Sequence, residues 1–256
     1  MSADLPAIVV GAVFGAAVGS FLNVCIVRLP ADESLCRPRS RCPRCGHPIA
    51  WYDNVPILSW LALGGRCRGC RERISVQYPL IELVVALLWA AAAWRYGGNV
   101  AALEAAVFGT ILLGIAVTDA RHYLIPDEYT LGGVVLGVAF SLRSGVDGVL
   151  WALVGGAVGF LLLLVIAEAG RKAFGKEAMG GGDVKMMAMV GTFVGWKGVL
   201  LTVFGGALLG TLIFVPLTIG RRRLVPFGVF LAAAAAIAYV WGEPIIAWYM
   251  AFARGG

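Results

Sequence analysis

What most constrains this chain is the length and spacing of its apolar runs. Stretches at 7–27, 79–94, 100–117, 129–142, 146–167, 184–194, 198–219 and 225–252 follow one another, most of them across short polar breaks. A helix rises about 1.5 Å per residue, so roughly 20 apolar residues cross a hydrocarbon core of about 30 Å. With 60% of residues hydrophobic and 14% charged, an ordinary soluble domain is excluded. The expected fold is an all-α polytopic membrane protein of about eight transmembrane helices with one small loop domain. The 184–194 run is too short to cross alone, and is expected as a half-helix or as one arm of a re-entrant hairpin with the next run. The first run has no Lys or Arg before it and no evident cleavage site after it, and is expected as a retained span rather than a signal peptide.

Charge orients these spans. Lys and Arg collect in loops that stay in the cytoplasm, and the breaks at 28–78, 118–128, 168–185 and 221–223 together hold 17 of the 21 basic residues. Arg95, Arg143, Lys197 and Arg254 are scattered on the other side, which places both termini outside. The net charge of +6 then reflects membrane orientation, with no nucleic-acid partner expected. Three parts are expected: a first span (1–28), a cytoplasmic loop (29–78) and a larger membrane domain (79–256).

The loop carries two C-x-x-C pairs, Cys42 with Cys45 and Cys67 with Cys70, separated by 21 residues. Each pair aims two thiolates at one center, and two pairs close a tetrahedral shell of the kind that holds structural zinc. Four thiolates leave no open ligand position, which argues against a catalytic metal. A reducing cytosol disfavors disulfides. Cys25 and Cys36 fall outside the pairing, and His47 is expected as a solvated loop residue.

Carboxylates at span boundaries each need an explanation. Asp119 ends the third run and Asp183 opens the sixth, so alternating topology brings both to the cytoplasmic boundary. Two such carboxylates in a partly dry site share a proton, and a water between them is activated by one while the other protonates a scissile carbonyl. Gly180, Gly181 and Gly182 precede Asp183 and are expected to open the backbone to an extended peptide. Lys185 is expected to hold Asp183 ionized, orient peptide, or mark the inner boundary. Asp127 is expected to cap a helix starting near Tyr129. Glu82 is a carboxylate within the second span, open to a role in binding an amine or the cationic end of a methyl donor, or to snorkeling or capping. Asn23 is expected to hydrogen-bond across helices, and glycines such as Gly132, Gly133, Gly155, Gly156, Gly205, Gly206 and Gly210 to let helices pack closely. Trp89, Trp94, Trp241 and Trp248 fit interfacial belts.

Five segments in order, GSFLNVCIVRLP (19–30), the cysteine-bearing stretch from ESLCRPRSRCPRC to SVQYPLIEL (33–83), TDARHYLIPDEYT (118–130), MGGGDVKMMAMVGTFVGW (179–196) and VPFGVFLAAAA (225–235), resemble the type IV prepilin peptidases, related in motif to the GxGD membrane aspartyl proteases. The resemblance implies a bacterial inner-membrane enzyme whose catalytic pair is Asp119 and Asp183. It implies type IV prepilins or pseudopilins as substrates, cleaved between a short basic leader and the hydrophobic helix. It further implies N-methylation of the new terminus with S-adenosylmethionine, since the cysteine loop missing from cleavage-only relatives is complete here. Val229 and Ala234 depart from the family pattern, where proline and glycine are common. The competing expectation is a non-enzymatic membrane assembly or transport protein whose zinc-stabilized loop binds a partner, although glycines bracketing one aspartate opposite a second do not serve that role naturally.

Overall fold

The computed structural model describes residues 4–175, 179–218 and 226–253, with side chains described up to residue 213 in the segment that ends at 218. The basic residues Lys176, Arg221–Arg223 and Arg254, used above for orientation, lie outside the described residues. Among the described residues eight α-helices follow in order: α1 (Leu5–Arg28), α2 (Leu58–Ala62), α3 (Gln77–Tyr96), α4 (Val100–His122), α5 (Asp127–Ser141), α6 (Gly145–Phe174), α7 (Gly181–Thr218) and α8 (Phe227–Ala253). Among the described residues there is no β-strand, only isolated bridges at Arg41 with Pro48 and at Arg66 with Arg73. Within the described residues six segments are long and apolar enough to cross a membrane: Leu5–Ala31, Gln77–Tyr96, Val100–His122, Asp127–Phe174, Gly181–Ile213 and Phe227–Ala253.

Six segments and eight expected spans are reconciled by two glycines. Gly145, at φ 70°, separates α5 from α6. Gly195 interrupts α7 with φ 66° and ψ 177°, a conformation open essentially to glycine alone. A Cβ on Gly159 of α6 would lie 2.1 Å from Met187 O and 3.4 Å from Val199 Cγ2. In a straight helix those two α7 residues would be about 18 Å apart. Helix α7 is therefore a hairpin, its arms (181–194 and 196–218) folded back on each other at Gly195, with the short sixth run forming the first arm.

The chain divides into two compact units, Met1–Thr110 and Ile111–Gly256. In the first, α1 and α3 pack antiparallel along Gly11, Gly15 and Gly19. A Cβ on Gly15 would sit 2.7 Å from that of Trp89, and one on Gly19 would sit 2.8 Å from Glu82 Cα. Lipid gives helices little hydrophobic reason to associate, so close backbone approach of this kind supplies the packing. Asn23 Nδ2 extends the seam by donating to Tyr78 O at 3.0 Å. Trp89 is buried in the seam and donates to Thr110 Oγ1 at 3.0 Å, so it is not the belt residue expected above, whereas Trp94, Trp241 and Trp248 are exposed.

In the second unit the segments alternate in direction. Gly133 and Gly137 of α5 meet Met189 and Thr192 of α7, so α5 runs parallel to the first arm. Gly155 and Gly159 of α6 meet Gly191 and Met187, so α6 runs against it. Gly205 and Gly206 of the second arm meet Ala234 and Leu231 of α8, again antiparallel. This alternation gathers the end of α4 and the starts of α5, α7 and α8 at one end of the unit, where both aspartates lie.

Candidate active site and metal center

Asp119 lies in the last turn of α4 and Asp183 in the first turn of α7. Both are buried, at 6% and 9% exposure, and they are close enough for each charge to act on the other. Oδ2 of Asp119 and Oδ1 of Asp183 are buried without a hydrogen-bond partner. Unpaired buried oxygens of this kind are costly.

Local sequence explains how the two meet. Helix α4 ends where Tyr123 adopts φ 53°, its N–H returning to Asp119 O at 2.9 Å. The chain re-enters a helix through Ile125 and Pro126, and Ile125 becomes the spacer of the site. A Cβ on Gly182 would lie 3.0 Å from Ile125 Cβ, and one on Gly228 would lie 2.8 Å from Ile125 Cδ1. Gly182 is thus required by packing. Gly181 has open surroundings, a Cβ on Gly180 would make only ordinary contact with Asp183 Oδ2 at 3.6 Å, and neither has a positive φ, so the expected backbone license is not used there; Asp183 N–H donates to Gly180 O at 3.2 Å as α7 begins.

Gly228, not singled out in the sequence, is the third glycine of consequence. It is the second residue of α8, and a Cβ there would meet Asp119 Oδ2 at 2.9 Å. The free N–H groups of a helix N-terminus favor a negative charge, so α8 presents its start to the Asp119 carboxylate. The quoted PFG tripeptide carried the only signal for this.

Lys185 does not reach Asp183. Its Nζ lies 2.8 Å from both carboxylate oxygens of Asp127 in an exposed pair. Residues two apart on a helix face different ways, which is why one cannot serve the other. Asp127 is itself the first residue of α5, behind Pro126, so the helix starts two residues earlier than expected and the Asp127 carboxylate goes to Lys185 instead of capping it. His122 is exposed.

In the first unit the four cysteine sulfurs of Cys42, Cys45, Cys67 and Cys70 lie within 4.8 Å of one another, a set able to hold a metal ion. Two turns of matching geometry supply them. Cys42 N–H donates to His47 O and Cys67 N–H to Glu72 O, each at 2.9 Å, while Gly46 and Arg71 four residues after each leading cysteine both take positive φ. The Cys42 and Cys70 sulfurs are 3.8 Å apart. Tetrahedral coordination at about 2.3 Å per Zn–S bond places sulfurs about 3.8 Å apart, a separation this pair already has. Backbone N–H groups of Cys45 and Arg44 lower the Cys42 thiol to about 7. At Cys70 the Glu72 N–H pulls down, but burial and the three neighboring thiols outweigh it and push the group up to about 12. Exposed Cys36 and His47 are not in the set.

Glu82 is buried, and its Oε2 accepts the Ile57 N–H at 2.7 Å, tying the loop to α3. Arg68, inside the second turn, makes a bidentate pair with Asp53 at 2.6 and 2.7 Å, which holds the Asp53 carboxyl below the usual range.

Residues 13–96 match the model of the bacterial peptidase A24 N-terminal domain, and residues 106–215 match that of the type IV leader peptidase family. A prepilin leader peptidase/N-methyltransferase of Aeromonas hydrophila is 36% identical over 93% of this chain and 91% of its own length. The chain belongs to the type IV leader peptidase family. Among other relatives of that name, one from Pseudomonas putida is 38% identical over 94% of the chain and 92% of its own length. One from Myxococcus xanthus is 43% identical over 84% of the chain, which spans 64% of that relative. No solved structure matches. With its apolar helices, this type IV leader peptidase family member is a multi-pass membrane protein.

Proposed function

We propose that the chain is an aspartic endopeptidase that removes the leader of type IV prepilins or pseudopilins and then N-methylates the exposed terminus. The observation that carries the first activity is the pair of buried aspartates at one end of the second unit, each with an unpartnered oxygen. One carboxylate takes a proton from water as it attacks the scissile carbonyl, and the other, protonated, donates to the carbonyl oxygen; the roles reverse as the amine departs. Asp119, against the start of α8, is suited to the charged role at the outset, and Asp183 to the protonated one. Gly182 supports the pair by admitting Ile125, Gly180 by receiving the Asp183 N–H, and Lys185 through Asp127 at the rim.

Zinc is the metal proposed for Cys42, Cys45, Cys67 and Cys70, where it supplies a closed structural crosslink. The methyl donor is proposed to be S-adenosylmethionine, which rests on the relatives' names and on the complete cysteine loop. Glu82 suits its cationic end poorly, because one oxygen is already given to the Ile57 N–H; no step is assigned to this chain's residues there. The distribution of Lys and Arg supports an inner-membrane protein with the aspartates and the loop toward the cytoplasm.

The test is leader cleavage by purified enzyme in detergent or lipid, followed by mass spectrometry. Asp119→Asn and Asp183→Asn should each lower the rate by about 10³-fold or more with the fold intact. Cleavage surviving in either folded variant would sink the assignment, and mature pilin without the added methyl mass would remove the second activity.

A further inference from the structure

The segment between the two cysteine turns has the polarity of a lipid-facing element. Residues 54–65 contain no charged side chain. Leu58 and Leu61 of α2 are 65% and 62% exposed and Trp51 just before it 83%, whereas Ser59 is buried. The Ser59 hydroxyl turns inward, donating to Tyr52 O at 2.9 Å and accepting the Val55 N–H at 3.0 Å. In water the arrangement would be reversed, with serine outside and leucine inside.

Two anchors fix how deep this segment sits. Arg28, the last residue of α1, holds the start of the loop by donating to Ser34 O, Leu35 O and Pro38 O. Glu82 holds the middle through the Ile57 N–H, directly before α2. Glu82 packs beside Gly19 of α1, nine residues before Arg28 and so about 13 Å farther along the helix. It is the sixth residue of α3, and its side chain leans back toward the α3 N-terminus, which puts the Ile57 contact level with the first turn of α3. The chain thus descends from the Arg28 level to the ends of the spans and exposes its leucines there.

We propose that residues 51–62, whose one charged side chain, Asp53, is paired with Arg68, dock in the interfacial layer of the bilayer, with Leu58 and Leu61 among the outer acyl carbons, Trp51 at headgroup level, and Glu82 as the tether that sets the depth. Aromatic and aliphatic side chains on a short element parallel to the membrane are the usual means of such attachment. The partner is the lipid surface itself, and the assignment is independent of the peptidase chemistry proposed above.

The full chain in lipid nanodiscs, with the photoreactive residue p-benzoylphenylalanine placed at Leu61, tests this. Placement at Leu161, exposed on α6, is the lipid-facing control, and placement at exposed Arg44 the aqueous one. Lipid adducts at 61 within about twofold of the Leu161 yield, and none at 44, are expected by mass spectrometry. No lipid adduct at 61 while 161 reacts, or crosslinks from 61 to a second copy of the chain, would overturn the proposal. Glu82→Ala should lower the adduct yield at 61 severalfold, whereas Glu82→Gln, which keeps an acceptor for the Ile57 N–H, should not. An unchanged yield in Glu82→Ala would remove Glu82 as the tether.

Discussion

Around the four cysteines, backbone N–H groups find carbonyls or sulfurs, Arg68 is paired with Asp53, and the sulfurs are spaced to close on one ion. Around the two aspartates, one oxygen of each carboxylate is buried without a hydrogen-bond partner, and glycines hold the surrounding backbone tight. A site whose donors are all consumed resists change and has nothing left for a substrate. A site with costly unmet valences waits for something to satisfy them. Degree of satisfaction, more than residue type, distinguishes the two sites.

Attacking both sites in one protein tests that contrast, and the aspartates should respond most. Asp119→Asn combined with Asp183→Asn should lower cleavage by no more than either single change, since the two act as one device. Single-turnover assays on the three variants read this, and multiplicative losses would mean the residues act separately.

Metal removal should have the next largest effect and fall elsewhere. Structural zinc contributes about 10 kcal/mol or more of apparent binding free energy at such sites, so a strong chelator should release hydrogen-exchange protection across 41–74. Cleavage of a leader should stay within a few-fold. Loss of cleavage in parallel with the metal would show that the two centers are not separable.

Gly228→Ala asks whether the aspartate site depends on the backbone approach of α8. A methyl group 2.9 Å from Asp119 Oδ2 must displace the carboxylate or the helix. Misplacement on this scale costs about 10²-fold in rate. A fall in kcat with KM nearly constant is expected. Unchanged kinetics would leave Gly228 a packing residue only.

The smallest effect belongs to the Arg68–Asp53 pair. Its carboxyl is lowered on folding, so the contribution is present above about pH 4, the unfolded value, and is lost as pH falls through the folded one. Asp53→Asn should therefore loosen the loop slightly at neutral pH and not at all in acid, with the difference shrinking in salt. Hydrogen exchange at both pH values measures it.

Much of this architecture can be read in the sequence, because membrane spans announce themselves through composition and C-x-x-C pairs through spacing. Asp119 and Asp183 could be placed at one boundary by counting spans alone. What escaped the reading depends on distances between segments far apart in sequence. The Gly11, Gly15, Gly19 seam lay inside a run already explained as a span. Lys185 stood two residues from Asp183, and only the return of α5 supplied Asp127 as its partner. Gly228 acquires its meaning from Asp119, more than a hundred residues earlier.

The reversal at Gly195 bears on how the protein enters its membrane. The arm from 181 to 194 is about 21 Å long, too short to be recognized and laterally released as a span by itself. It must partition together with the arm that follows it, as one hairpin already bent at a position where any side chain would oppose the bend. Asp183 thus reaches its place as a passenger of the longer arm, and the proposed catalytic site depends on the bend at Gly195.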